Sequence, residues 1–117
     1  MATLTPTLTL NGSAADFGSA LTLSVTDTLD ITKDIIGPAK VQLTTGDLTL
    51  CATTYTKSYL YFKNTDAAIN ITVTFGATVS LELGPLEFAF LPWSGANAIV
   101  VAAASGTPFL EYALFEA

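Results

Sequence analysis

The 117-residue sequence has no histidine, no arginine and a single cysteine, Cys51. Without histidine a Ser-His-Asp type of nucleophilic centre cannot be assembled, and one thiol with no imidazole leaves no ligand set for zinc. One cysteine also excludes an intrachain disulfide. Cys51 reads as a small apolar side chain in a strand rather than a reactive thiol. Charge is scarce as well: 12% of residues are charged, against about 25% in an average globular domain. Four lysines face ten acids, for a net charge of −6. An acidic chain lacking arginine has no phosphate-neutralising footprint, so nucleic acid is not an expected partner.

A membrane span is not expected either. Phe88–Leu110 is uncharged, but Pro92, Ser94, Gly95, Asn97, Ser105, Gly106 and Pro108 interrupt it. Only Ala98–Ala104 is continuously apolar, far short of the ~20 residues a helix needs to cross a bilayer. The start, Met1-Ala-Thr-Leu-Thr-Pro6, lacks the basic onset and apolar run of a signal peptide. A soluble protein made in a cytoplasm is the expectation.

What the sequence does have is a period of two. In the stretch Ala67–Pro92, Ile69, Ile71, Val73 and Phe75 alternate with Asn70, Thr72 and Thr74, and Val79, Leu81 and Leu83 with Ser80 and Glu82. After the Gly84-Pro85 turn signal, Phe88 and Phe90 oppose Ala89 and Leu91. Helices do not produce this pattern; half-buried strands do. Upstream, Leu4, Leu8 and Leu10 alternate with threonines, and Pro6, which cannot donate to a ladder, makes residues 1–12 an extended arm or edge strand. Leu21, Leu23 and Val25 form the next one-sided strand, and Asp27 in the inward register marks a break. Asp34–Pro38 reads as a connection, followed by strands at Val41–Leu43, Leu48–Leu50 and Tyr59–Lys63, the last with Leu60 and Phe62 opposed to Tyr59 and Tyr61. Asn64–Ala67 is expected to close a hairpin into the Ala67–Pro92 stretch. Ala98–Ala102, apolar on both faces, is expected to be covered on both sides, and Phe109–Phe115 is the final strand. The expected fold is all-β: a single sandwich or jelly roll over residues 13–117, of roughly eight to ten short antiparallel strands, with the arm 1–12 attached.

Chemistry-bearing residues are few. Asp27, Asp30 and Asp34 have the loose spacing of oxygen ligands, without the glycine turn and terminal glutamate of a calcium loop. They read as turn acids, which in several copies can still meet on a symmetry axis. Glu82, Glu87, Glu111 and Glu116 suggest a glycosidase-like carboxylate pair, but most alternate on faces that ordinarily point to water. Asn11-Gly-Ser and Asn70-Ile-Thr match glycosylation sequons that count only in a secreted chain. Tyr55, Tyr59 and Tyr61 share one parity and, with Trp93, are candidates for a sugar platform or a subunit contact. No glycine-rich phosphate loop is present, so neither a cofactor, a resident metal nor catalysis is expected. So few charges on so small a domain point instead to a surface covered by other subunits, and the candidate interface is Leu4, Leu8, Leu10, Tyr55, Tyr59, Tyr61 and Trp93.

The segment Leu81-Glu-Leu-Gly-Pro-Leu-Glu-Phe-Ala-Phe-Leu-Pro92, followed by Ala98-Ile-Val-Val, Ser105-Gly-Thr-Pro and Leu110-Glu-Tyr112, resembles small virion proteins of tailed bacteriophages. Those proteins show a Pro-Gly-Glu-Phe-like turn, a following Pro and a Leu-Glu-Tyr strand. Tyr61-Phe-Lys-Asn-Thr-Asp66 is similar to their strand–turn pattern, and the resemblance covers roughly the C-terminal half. It implies a structural role as a capsid cement (decoration) protein on the phage head, as a homotrimer bound to the major capsid protein. The alternatives are a tail or fibre subunit and, from the tyrosine stripe, a glycan-binding module.

Overall fold

The computed structural model describes residues 2–13, 21–31, 35–51, 57–76, 79–95 and 97–117. These residues form strands, turns and connecting segments, and no helix among them is long and apolar enough to cross a membrane. Phe88–Leu110, the uncharged run, is divided among three strands. The chain separates into two compact units, Met1–Thr32 and Lys33–Ala117.

In the first unit, β1 (Ala2–Leu4) pairs antiparallel with β4 (Leu29–Ile31), and β2 (Thr7–Gly12) with β3 (Leu21–Thr26). Pro6 separates β1 from β2, as its missing N–H predicts. On the partner side the break falls at Asp27 and Thr28, where the Asp27 amide donates to the Pro6 carbonyl at 3.2 Å and the Thr28 amide to Asp27 Oδ1 at 2.7 Å. Segment 2–12 is therefore hydrogen-bonded to segment 21–31 of its own chain. Each sheet is two-stranded.

The second unit is a β-sandwich. One sheet has the order β10 (Phe88–Trp93), β7 (Ser58–Asn64), β12 (Phe109–Glu116), β5 (Ile35–Gln42). The other runs β6 (Leu48–Cys51), β11 (Ile99–Ala103), β8 (Ile71–Phe75), β9 (Val79–Leu83). Four antiparallel pairs are nested along the chain: β5 with β12, β6 with β11, β7 with β10 and β8 with β9. The β12–β7 and β11–β8 pairings then roll this long nested hairpin into two layers, which is the jelly-roll arrangement.

The core lies between the sheets. Leu60, Phe62, Trp93, Leu110 and Leu114 of one layer meet Ile71, Val73, Leu83, Ile99 and Val101 of the other. Each such side chain contributes about 1.5–3 kcal/mol on burial. A one-residue slip of a strand would bring its whole apolar set out to water, so the register is strongly held.

Three sequence expectations change here. Asp34–Pro38 is not a connection over its described part: Ile35 to Pro38 opens β5, with a cis Gly37-Pro38 bond and a register shift against Tyr112 and Leu114. An edge strand beside a bulge is where a sheet tolerates Gly-Pro. Asn64–Ala67 does not close a hairpin, because β7 and β8 belong to different sheets. Asp66 Oδ1 accepts from the amides of Ala68 and Ile69 at 2.8 and 2.9 Å, turning the chain across the sandwich instead of back along it. Finally, β11 is fully covered on one face only: Ile99 and Val101 are buried, Val100 and Ala102 half-buried beside Thr74 and Thr72 of β8.

Candidate interaction surfaces

The outward face of the β10-β7-β12-β5 sheet is aromatic. Register brings Phe88, Lys63, Glu111 and Lys40 into one cross-strand row, and Phe90, Tyr61 and Ala113 into the next. Pro92, Tyr59 and Phe115 form the third. Phe88 and Phe90 are 62% and 40% exposed, and Phe109 adds a further exposed ring. The Tyr59 and Phe90 rings lie 6.3 Å apart at 10°, on diagonal positions of neighbouring strands. Lys57 Nζ stands 5.5 Å above the Tyr59 ring, within reach of a cation–π attraction.

Tyr61 donates its hydroxyl to Glu111 Oε1 at 2.9 Å. Burial, this hydrogen bond and the nearby carboxylate charge all push the Tyr61 phenol above its ordinary value, since each favours the protonated form.

Tyr59 and Tyr61 thus share a face, as their parity predicts, but Trp93 does not join them. It is the end of the opposite parity in β10, buried in the core across from Ser58. Tyr55 lies outside the described residues. Sequence reasoning left Phe88, Phe90, Phe115, Lys40 and Lys63 out of the site. The alternation shows Phe88 and Phe90 on one side of β10 and Ala89 and Leu91 on the other, and average hydrophobicity would turn the phenylalanines inward. The buried ring of Trp93 shares parity with Ala89 and Leu91 and takes their face into the core.

In the first unit, the β2–β3 ribbon has two unlike faces. Leu8 pairs with Val25 and Leu10 with Leu23 on one; Thr7 with Thr26, Thr9 with Ser24 and Asn11 with Thr22 lie on the other. The apolar face is open: Leu8 is 45% exposed, Leu10 43%, Leu23 40% and Val25 52%. Leu4, paired with Leu29 in the β1–β4 sheet, is half-buried.

Among the described residues the acids do not assemble. Asp27 and Asp30 are exposed and Asp34 lies outside the described residues. Among the described residues no three of Cys, Asp and Glu converge on a point that could hold a metal. Glu82 accepts from Asn70 Nδ2 at 2.9 Å, while Glu111 and the buried Glu116 sit on opposite faces of β12. Compared with protein-family models, curated proteins and solved structures, the chain gives no match.

Proposed function

We propose that this protein is a structural virion subunit, a cement protein that binds the assembled phage head and turns over no substrate. The observation that carries the proposal is the β2–β3 ribbon, whose four apolar side chains are exposed on a two-stranded sheet. A lone two-stranded ribbon is at best marginally stable in water, and an open apolar face of this kind is a docking surface. The jelly roll agrees with it, being an architecture of viral capsid domains among others, though fold alone does not fix function. In this reading the ribbon and its open edges seat on the major capsid protein at the virion surface, and repetition over a symmetric shell multiplies a modest affinity. A partner that binds only the assembled state stabilises that state.

The test adds purified protein to heads lacking it. Bound protein at symmetric positions and a higher shell melting temperature are expected, with Leu10→Asp/Leu23→Asp reducing occupancy at least tenfold. Protein found only in tails would replace the head assignment with the tail or fibre alternative. Sugar binding by a monomer that ignores shells would favour the glycan module.

A further inference from the structure

We infer that the aromatic face of the β10-β7-β12-β5 sheet receives a second copy of this chain, which docks its β9 edge and the turn that follows. The first argument is charge. Lys40, Lys57 and Lys63, three of the four lysines, gather around this face with Glu111 as the acid among them. Three lysines against Glu111 give the face +2 and leave the rest of the chain, from a total of −6, at −8. Placing the basic side chains of an acidic protein around exposed phenylalanines makes a surface that fits an acidic, partly apolar protein partner.

The second argument is that the same unit carries the complement. β9 is the last strand of its sheet, with one edge unpaired among the described strands. Val79 is 59% exposed there, Glu82 is exposed on the opposite face of the strand, and in the next turn Leu86 is 57% exposed next to the exposed Glu87. Leu86 has φ 63°, a left-handed conformation that glycine or asparagine adopts at lower cost. A leucine kept in that conformation and projecting into solvent fits a contact residue.

The β9 edge of one copy cannot lie on its own aromatic face. Leu83 of β9 is buried in the core of the second sheet, whereas the aromatic face looks outward from the first. The contact therefore joins two copies, and because residues 84–87 lead directly into Phe88 at the rim of the aromatic face, it closes as a two-fold pair or continues as a ring or filament.

The experiment needs only the full chain, without shells, so its failure leaves the capsid proposal standing and shell binding by a strict monomer would refute this inference alone. Light scattering after size exclusion is expected to show multiples of 12.2 kDa. Raising salt from about 20 mM to about 0.5 M should move the association midpoint to roughly tenfold higher concentration, because contacts between exposed charges are screened. Two charge-reversed chains sharpen the test: Lys40→Glu/Lys57→Glu/Lys63→Glu, and Glu82→Lys/Glu87→Lys. Each is expected to be monomeric alone, and an equimolar mixture to associate, since only across the two chains do opposite charges then meet. Circular dichroism checks that both are folded; if either is not, Phe88→Ser on the wild-type charge background should weaken association at least tenfold. A wild-type monomer at about 100 μM, variants that associate unchanged, or a mixture that stays monomeric would each overturn the inference. So would a monomer that uses this face for an acidic glycan or single-stranded nucleic acid.

Discussion

Asn64 Nδ2 donates to the Leu83 carbonyl at 3.1 Å, joining a strand of one sheet to the edge strand of the other. The same nitrogen reaches the carbonyls of Ile69 at 2.7 Å and Gly84 at 3.1 Å, and Oδ1 accepts from the Asp66 amide at 3.0 Å. Two amide protons serve three carbonyls, and the equal 3.1 Å distances fit one proton shared between Leu83 and Gly84. Two of the crossings between the sheets, residues 65–70 and 84–87, are thereby tied to one fully buried side chain.

Asn64→Leu should cost about 2–4 kcal/mol, because it strands these buried groups without partners. Asn64→Asp points a carboxylate at carbonyl oxygens, which raises its pKa in the folded state above the unfolded value of about 3.9. Stability linked to a raised pKa is present below the unfolded value and lost as pH rises. The deficit of Asn64→Asp relative to wild type should therefore shrink from pH 7 to about pH 3.5, as measured by urea unfolding. A pH-independent deficit would contradict this role.

Tyr61 gives a prediction at the alkaline end. Its phenol is held above 10.0, so the stabilisation it contributes is present below that pH and disappears as pH rises through the folded value. Tyr61→Phe should lose less stability than wild type between about pH 9 and 12. In absorbance titrations the wild-type minus variant difference should rise above pH 10, and a difference complete below that pH would refute the assignment.

Phe62 and Phe88 separate packing from recognition. Phe62 is 1% exposed, and Phe62→Ala should cost about 3–5 kcal/mol in chemical unfolding. Phe88 is 62% exposed, and Phe88→Ala should change stability by no more than about 0.5 kcal/mol while weakening self-association.

Gly37 is a backbone test. At φ 85° an added Cβ would stand 2.5 Å from the Tyr112 carbonyl oxygen and 2.9 Å from the Ala39 nitrogen. Gly37→Ala should cost about 2–4 kcal/mol, since the obstacles are backbone atoms. Gly46→Ala meets only Thr44 Oγ1 at 3.5 Å, and a change within about 1 kcal/mol is expected by thermal unfolding. Equal effects at the two positions would contradict the bulge as the cause.

Strands were legible wherever side chains of unlike polarity alternate. Leu60 and Phe62 face the core and Tyr59 and Tyr61 lie on the other side, as their parity requires. Pro6 and Asp27 mark real breaks for local reasons, a missing donor and a poorly buried charge. Where both faces of a strand are apolar, as in β10, alternation defines the two sets but not which one goes inward. The direction of the Asn64–Ala67 turn is not legible in the sequence, because it depends on carbonyls of Leu83 and Gly84 that are remote in the chain.

The sequence by itself determined an all-β chain, the membership of strand faces where unlike side chains alternate and, by lacking histidine and arginine, the exclusion of an arginine clamp or a histidine-based catalytic centre. All of these are local or compositional properties. The tertiary structure alone decided that Phe88 stands beside Lys63, Lys63 beside Glu111 and Glu111 beside Lys40. That row exists because β5 and β12, and β7 and β10, pair across long stretches of chain, and such pairing is selected by burial of the whole core.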